Sequence, residues 1–139
     1  MLLAGQCLTQ EIVYDAKVTI EGESESDSKI YVGQTSRPFK ERFYEHTKAI
    51  KNEKSARATA LSNYVHKLKK AGKDFTIKWS IRGKAPPYQN GQKKCLLCIR
   101  EKTTICLTDP KRLLNNRSEM LSKCIHRAKF ELRKFYNPP

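Results

Sequence analysis

The chain has 139 residues, enough for one domain with a buried core. Lys and Arg number 28 against 14 acidic residues, a formal net charge of +14, and a field of that sign makes nucleic acid the expected partner. No apolar run approaches the roughly 20 residues that span a bilayer, and the opening "MLLAGQ" lacks the long apolar stretch of a secretory signal. No segment sets a strong apolar face beside a Lys-rich one, so a membrane partner is not expected and the chain reads as soluble and intracellular.

Residues 11–20 (EIVYDAKVTI) alternate Ile12, Tyr14, Ala16, Val18 and Ile20 with polar neighbours, the period of a half-buried strand. "KIYVG", Lys29 to Gly33, predicts a second strand. Between them the tract 21–28 (EGESESDS) holds four of the acidic residues and no basic one, leaving ten acids against 28 bases elsewhere. It is too polar to pack and predicts a hairpin with a solvated, mobile tip.

After Gly33, Thr35 or Ser36 is placed to cap a helix from Pro38 to about Asn52, whose Phe39, Phe43 and Ile50 share one face. "KNEKSARAT" is a polar connection. Leu61, Tyr64, Val65 and Leu68 then recur at helical spacing before Gly72. "FTIKWSI", residues 75–81, predicts a third strand. The Pro- and Gly-containing "RGKAPPYQNGQKK" predicts a long basic loop. Helices are expected from Cys95 to about Leu107 and again over "SEMLSKCIHRAKFELRKF", with Asp109 and Pro110 turning the chain between them. The order predicts a single α+β domain over 1–139: a small three-stranded sheet with helices packed against it.

Arg42 and His46 are four residues apart and so share a helix face, at the edge of the Phe39/Phe43/Ile50 stripe, where they would flank the core. Tyr31 points away from Ile30 and Val32, toward the start of that helix. A cation for phosphate and groups for proton transfer are what phosphodiester cleavage needs. By position alone, however, an Arg on a basic helix is usually a solvated charge, and a His or Tyr beside an apolar face is usually a packing residue.

The five cysteines, an odd number in a chain read as intracellular, argue against a disulfide framework and for metal ligation or simple packing. Cys95 and Cys98 form a C-x-x-C pair suited to one Zn²⁺, Cys124 and His126 offer a second pair, and Cys7 is a fifth candidate ligand. Such a site would be structural, because three or four thiolates leave little open coordination. Cys106, between Ile105 and Leu107, reads as core. Lys84, Tyr88, Lys93 and Lys94 of the long loop, with Arg127 and Lys129 and then Arg133 and Lys134, are candidates for phosphate contact and base stacking.

"IVY" (Ile12 to Tyr14) and "YVG" (Tyr31 to Gly33), followed by an Arg and a His on the next helix, resemble the GIY-YIG endonuclease family. "CLLC", "CIREK", "LLNNRSE" and "KCIHRAKF" resemble more narrowly the nuclease domain of Penelope-like retroelements, over about Cys7 to Phe130. The first motif departs from the family's name, with Ile12 where Gly is expected, and the acidic tract lengthens the spacing between the motifs.

The resemblance implies an antiparallel sheet flanked by helices that cuts DNA with one Mg²⁺ or Mn²⁺. It implies catalytic roles for Tyr14, Tyr31, Arg42, His46, Glu101 and Asn115, with Glu101 as the metal ligand. Asn116 is adjacent, so the last assignment could slip by one. Which tyrosine serves as base stays open; a phenol, with an ordinary pKa near 10, needs nearby cations for that task. The resemblance further implies nicking of target DNA in the nucleus, after passage through the cytoplasm; with no polymerase motif present, the chain reads either as a fragment of a larger protein with a covalently linked reverse transcriptase or as a free-standing relative. A silent zinc-containing nucleic-acid-binding module and a nuclease of DNA repair or branched-DNA processing are the alternatives.

Overall fold

The structure is a computed structural model that describes residues 5–89 and 95–116 together with Cys124. Strand β1 (Ile12–Ile20) lies between β2 (Lys29–Thr35) and β3 (Phe75–Lys84), antiparallel to both, giving a sheet of order β2-β1-β3. The alternation along β1 sends Ile12, Tyr14, Ala16 and Val18 to one face, where they pack with Tyr31, Trp79, Phe39, Leu61, Val65 and Leu68. Helices α1 (Phe39–Lys51) and α2 (Ala60–Lys70) cover this face. The other face presents Val13, Ile30 and Val32 to Leu97, Cys98 and Ile105 of α3 (Leu96–Leu107). The sheet therefore separates two cores, and among the described residues no helix is long and apolar enough to cross a membrane.

Helix α2 starts in a capping box, with Thr59 and Ser62 each satisfying the other's backbone N–H, and stops before Gly72, whose φ of 69° suits glycine. The start of α1 departs from expectation. Pro38 is its N-cap with no side-chain hydrogen bond, and Thr35 bonds instead to the backbone of Arg37. The first N–H groups of the helix are taken by main-chain carbonyls: Phe39 donates to Thr9 at 3.1 Å and Lys40 to Cys7 at 2.7 Å.

Three other expectations are corrected. β3 continues to Lys84, because Ala85 N–H donates to the Glu11 carbonyl and holds the strand's end beside the segment that enters β1. The acidic tract is exposed from Glu21 to Asp27, as its composition predicts, yet it folds around a 3-10 turn at Glu25–Asp27 capped by Ser24, and Ser28 is buried. Arg112 anchors that turn by donating to the Glu25 and Ser28 carbonyls and to Ser28 Oγ. Cys106 is exposed, on the side of α3 turned away from the core. The helix expected over "SEMLSKCIHRAKFELRKF" falls, Cys124 apart, outside the described residues.

The outer edge of β2 is covered by the segment after α3. Ile30 N–H donates to the Arg112 carbonyl, Leu114 N–H to the Ile30 carbonyl, and Asn115 holds both polar groups of Val32.

Candidate active site

Tyr14 stands at the middle of β1, fully buried, with its ring lying across Gly33 of β2 in the adjoining register position. A Cβ at Gly33 would come within 2.5 Å of Tyr14 Oη and 2.6 Å of Cζ, so glycine is required there by space alone. This gives the glycine of "YVG" a local reason. Ile12 needs no such clearance: its side chain is fully buried and fills the first core.

Two groups of α1 meet the Tyr14 hydroxyl. Arg42 Nε donates to it at 3.1 Å, and His46 Nε2 lies 2.6 Å away. The i, i+4 spacing places both on the helix face toward the sheet. His46 is not a flanking residue as expected, since it is 2% exposed and packs against the rings of Tyr31 and Trp79 at 5.7 and 5.4 Å between centroids. Arg42 stays at the rim with about a quarter of its side chain exposed (26%), and Glu45 accepts from its Nη1 at 2.8 Å. Glu45 also pairs with Arg37, so one carboxylate fixes two guanidinium groups.

Burial lowers the His46 pKa to about 3, helped by the Arg42 charge and opposed by Glu45. The imidazole is neutral at physiological pH. Arg42 can only donate, so the Tyr14 proton has His46 Nε2 as its acceptor. Burial also raises the Tyr14 pKa above the ordinary phenol value; Arg42 works against the shift, and the charges of Tyr31 and Glu101 add to it. Tyr14 is thus a phenol at rest. Arg42 loses some preference for its charge through burial, but Tyr14 and Glu45 reverse that and shift it upward overall. Hydrogen bonds from Arg42 and Arg37 hold Glu45 below the usual carboxylate range despite its partial burial.

Tyr31 is 6% exposed and its charge is felt by both Tyr14 and Arg42. Glu101, half-buried on α3, lies within electrostatic range of Tyr14. The structure therefore brings Arg42 and His46 to the Tyr14 hydroxyl, with Tyr31 packed against the His46 ring and Glu101 in electrostatic range. It does not bring Asn115 there. Both polar atoms of that side chain bond the Val32 backbone at 2.8 Å, so Asn115 clasps β2 next to Tyr31.

The second constellation is sulfur. The Sγ atoms of Cys95, Cys98 and Cys124 lie within 4.8 Å of one another and all three residues are buried. Thiolates around a tetrahedral zinc ion sit about 3.8 Å apart. The trio could hold a metal ion. Burial raises both the Cys95 and Cys98 thiols, so a cation would have to supply the charge that favours thiolates. Cys7 stands outside the cluster and supports α1 through its carbonyl. His126 lies outside the described residues, as do Lys93, Lys94, Arg127 and Lys129 with Arg133 and Lys134. Lys84 is exposed at the end of β3, whereas Tyr88 packs against the second core and is only partly available for stacking.

The residue pattern gave no signal for Gln34, whose amide donates to Cys98 Sγ at 3.4 Å and links the thiols to β2 one residue past Gly33. Glu45 was also missed; its i+3 spacing from Arg42 was the available clue. No family model matches the chain, and no curated protein or solved structure matches it either.

Proposed function

We propose that this chain is a GIY-YIG-type endonuclease that cuts DNA phosphodiester bonds with a divalent metal ion. The observation that carries this reading is the buried hydrogen-bonded set Arg42, Tyr14 and His46, with Glu101 in range of it. The set combines a permanent cation at the rim, a phenol below it and a neutral proton acceptor behind that. Glu101 suits Mg²⁺ or Mn²⁺, which need few carboxylates and keep most of their waters; the ion would neutralise phosphate charge and polarise a bound water.

Arg42, oriented by Tyr14 and Glu45, meets the scissile phosphate and stabilises the charge that builds on its oxygens. His46 accepts the Tyr14 hydrogen bond across the 2.6 Å contact and so orients that phenol beside Arg42, where it hydrogen-bonds toward the reacting oxygens. Tyr31 hydrogen-bonds the phosphate or the attacking water. Asn115 is a positioning residue for the strand that carries Tyr31. Cys95, Cys98 and Cys124 would hold Zn²⁺, which would tie α3, and so Glu101, to the segment carrying Cys124, while Gln34 links Cys98 to β2. The stretches quoted for Penelope-like elements support nicking of target DNA for such an element, in the nucleus and as part of a larger reverse-transcriptase protein.

A second reading, a silent zinc-containing nucleic-acid-binding module, is favoured by the zero exposure of Tyr14. Incubation with supercoiled plasmid and Mg²⁺ separates the two. The wild-type chain nicks the plasmid, Glu101→Gln and Arg42→Ala each lower the rate by about 100-fold or more, and Tyr14→Phe lowers it while leaving DNA binding intact. Absence of nicking by a folded, zinc-loaded wild-type protein sinks the endonuclease reading; equal nicking by wild type and Glu101→Gln does so too.

A further inference from the structure

We infer that the sheet face turned away from Tyr14 carries a second DNA-backbone contact surface, formed by Lys17, Lys78, Arg82 and Arg100. Face and register come from the strands. Phe75, Ile77, Trp79 and Ile81 of β3 pack into the first core, so Thr76, Lys78 and Ser80 project from the opposite side. There α3 covers chiefly β2, and Lys78 and Arg82 stay exposed.

Three observations distinguish this face from an ordinary solvated one. First, Lys17 stands directly opposite Lys78 in the β1–β3 register. Like charges in that position destabilise a sheet, and a polyanion turns that repulsion into affinity. Second, Arg82 is the extra residue of a β-bulge, since the consecutive Val13 and Tyr14 pair with Gly83 and Ile81. Its guanidinium is aimed at Asp15, which is 2% exposed and accepts from Arg82 Nη1 at 3.1 Å and from Ser80 Oγ. A buried carboxylate needs such a partner, so the Arg82 head is held in place while half of the side chain (49%) faces solvent. A fixed planar fork suits bidentate phosphate.

Third, Arg100 Nη1 lies over Gly83, 3.6 Å from where a Cβ would stand. Arg100 of α3 thus adds a cation from the helix to those that Arg82, Lys78 and Lys17 supply from the sheet. From the acidic turn, Glu25 faces these cations at 3.7 Å from Lys17.

The choice of DNA as the polyanion rests on the proposed endonuclease reading; the surface itself rests on charge and register. Binding of a fluorescent DNA duplex is measured in EDTA, so that cleavage plays no part, across a salt series. The Lys78→Ala/Arg100→Ala double variant is expected to bind on the order of tenfold more weakly, with a log K against log salt slope shallower by about 2. Arg82→Lys, which keeps the Asp15 partner, is expected to weaken binding with the slope unchanged. Unchanged affinity and slope in the folded double variant overturn the inference. So does a loss confined to RNA, or to phosphatidylserine vesicles, with DNA binding intact. Nicking that fails while these binding losses appear refutes the endonuclease reading and leaves the surface standing.

Discussion

His46 shows how one side chain couples the fold to pH. Its pKa is about 3 in the folded chain against 6.5 as the ordinary value, so the unfolded state takes up the proton first. Stability is therefore lost as pH falls from about 6.5 toward 3, by at most about 1.4 kcal/mol per unit from this group. Urea unfolding at pH 7 and pH 5 tests it: His46→Gln should lose less stability between the two than wild type, and equal losses would show that His46 titrates normally. The sequence placed Arg42 and His46 on one face correctly, because helical spacing is a local property. It could not tell rim from interior, which Trp79 and Tyr31 decide from distant strands. The same holds for Gly33, whose neighbour in space is 19 residues away along the chain.

At the scale of elements, strands and helices were legible from alternation and helical spacing, and the three-stranded sheet follows from them. What escaped was contact made by main chain. Carbonyls from residues 7 and 9 cap α1, which no side-chain pattern announces. The acidic turn is likewise held by an arginine 84 residues from Ser28. Asn115 belongs here. Its amide occupies the polar groups of Val32 on the edge of β2, and Asn115→Ala would leave them without these partners, at a cost of about 1–3 kcal/mol. Thermal or chemical unfolding should show that loss. A residue serving only the reaction would leave stability unchanged while nicking fell.

Across the whole molecule, the cysteine trio gathers the loop before α3, α3 itself and Cys124 into one buried cluster. The C-x-x-C spacing announced two of these ligands, and Cys124 was found because a His follows two residues on. If zinc is bound there, its binding free energy becomes folding energy. Elemental analysis should give about one zinc per chain, lost in Cys95→Ser/Cys98→Ser, and chelation should lower Tm by roughly 10 °C or more. A well-folded, zinc-free protein with unchanged Tm would refute the site.

The carbonyls of Cys7 and Thr9 reach the first turn of α1 before the chain has entered its sheet. The helix bearing Arg42 and His46 is thus buttressed from its amino end by a stretch that acts on it through main-chain carbonyls. Protease trimming of that leading arm would slacken the guanidinium and imidazole together, dulling the centre from a point that no inspection of the centre would suggest.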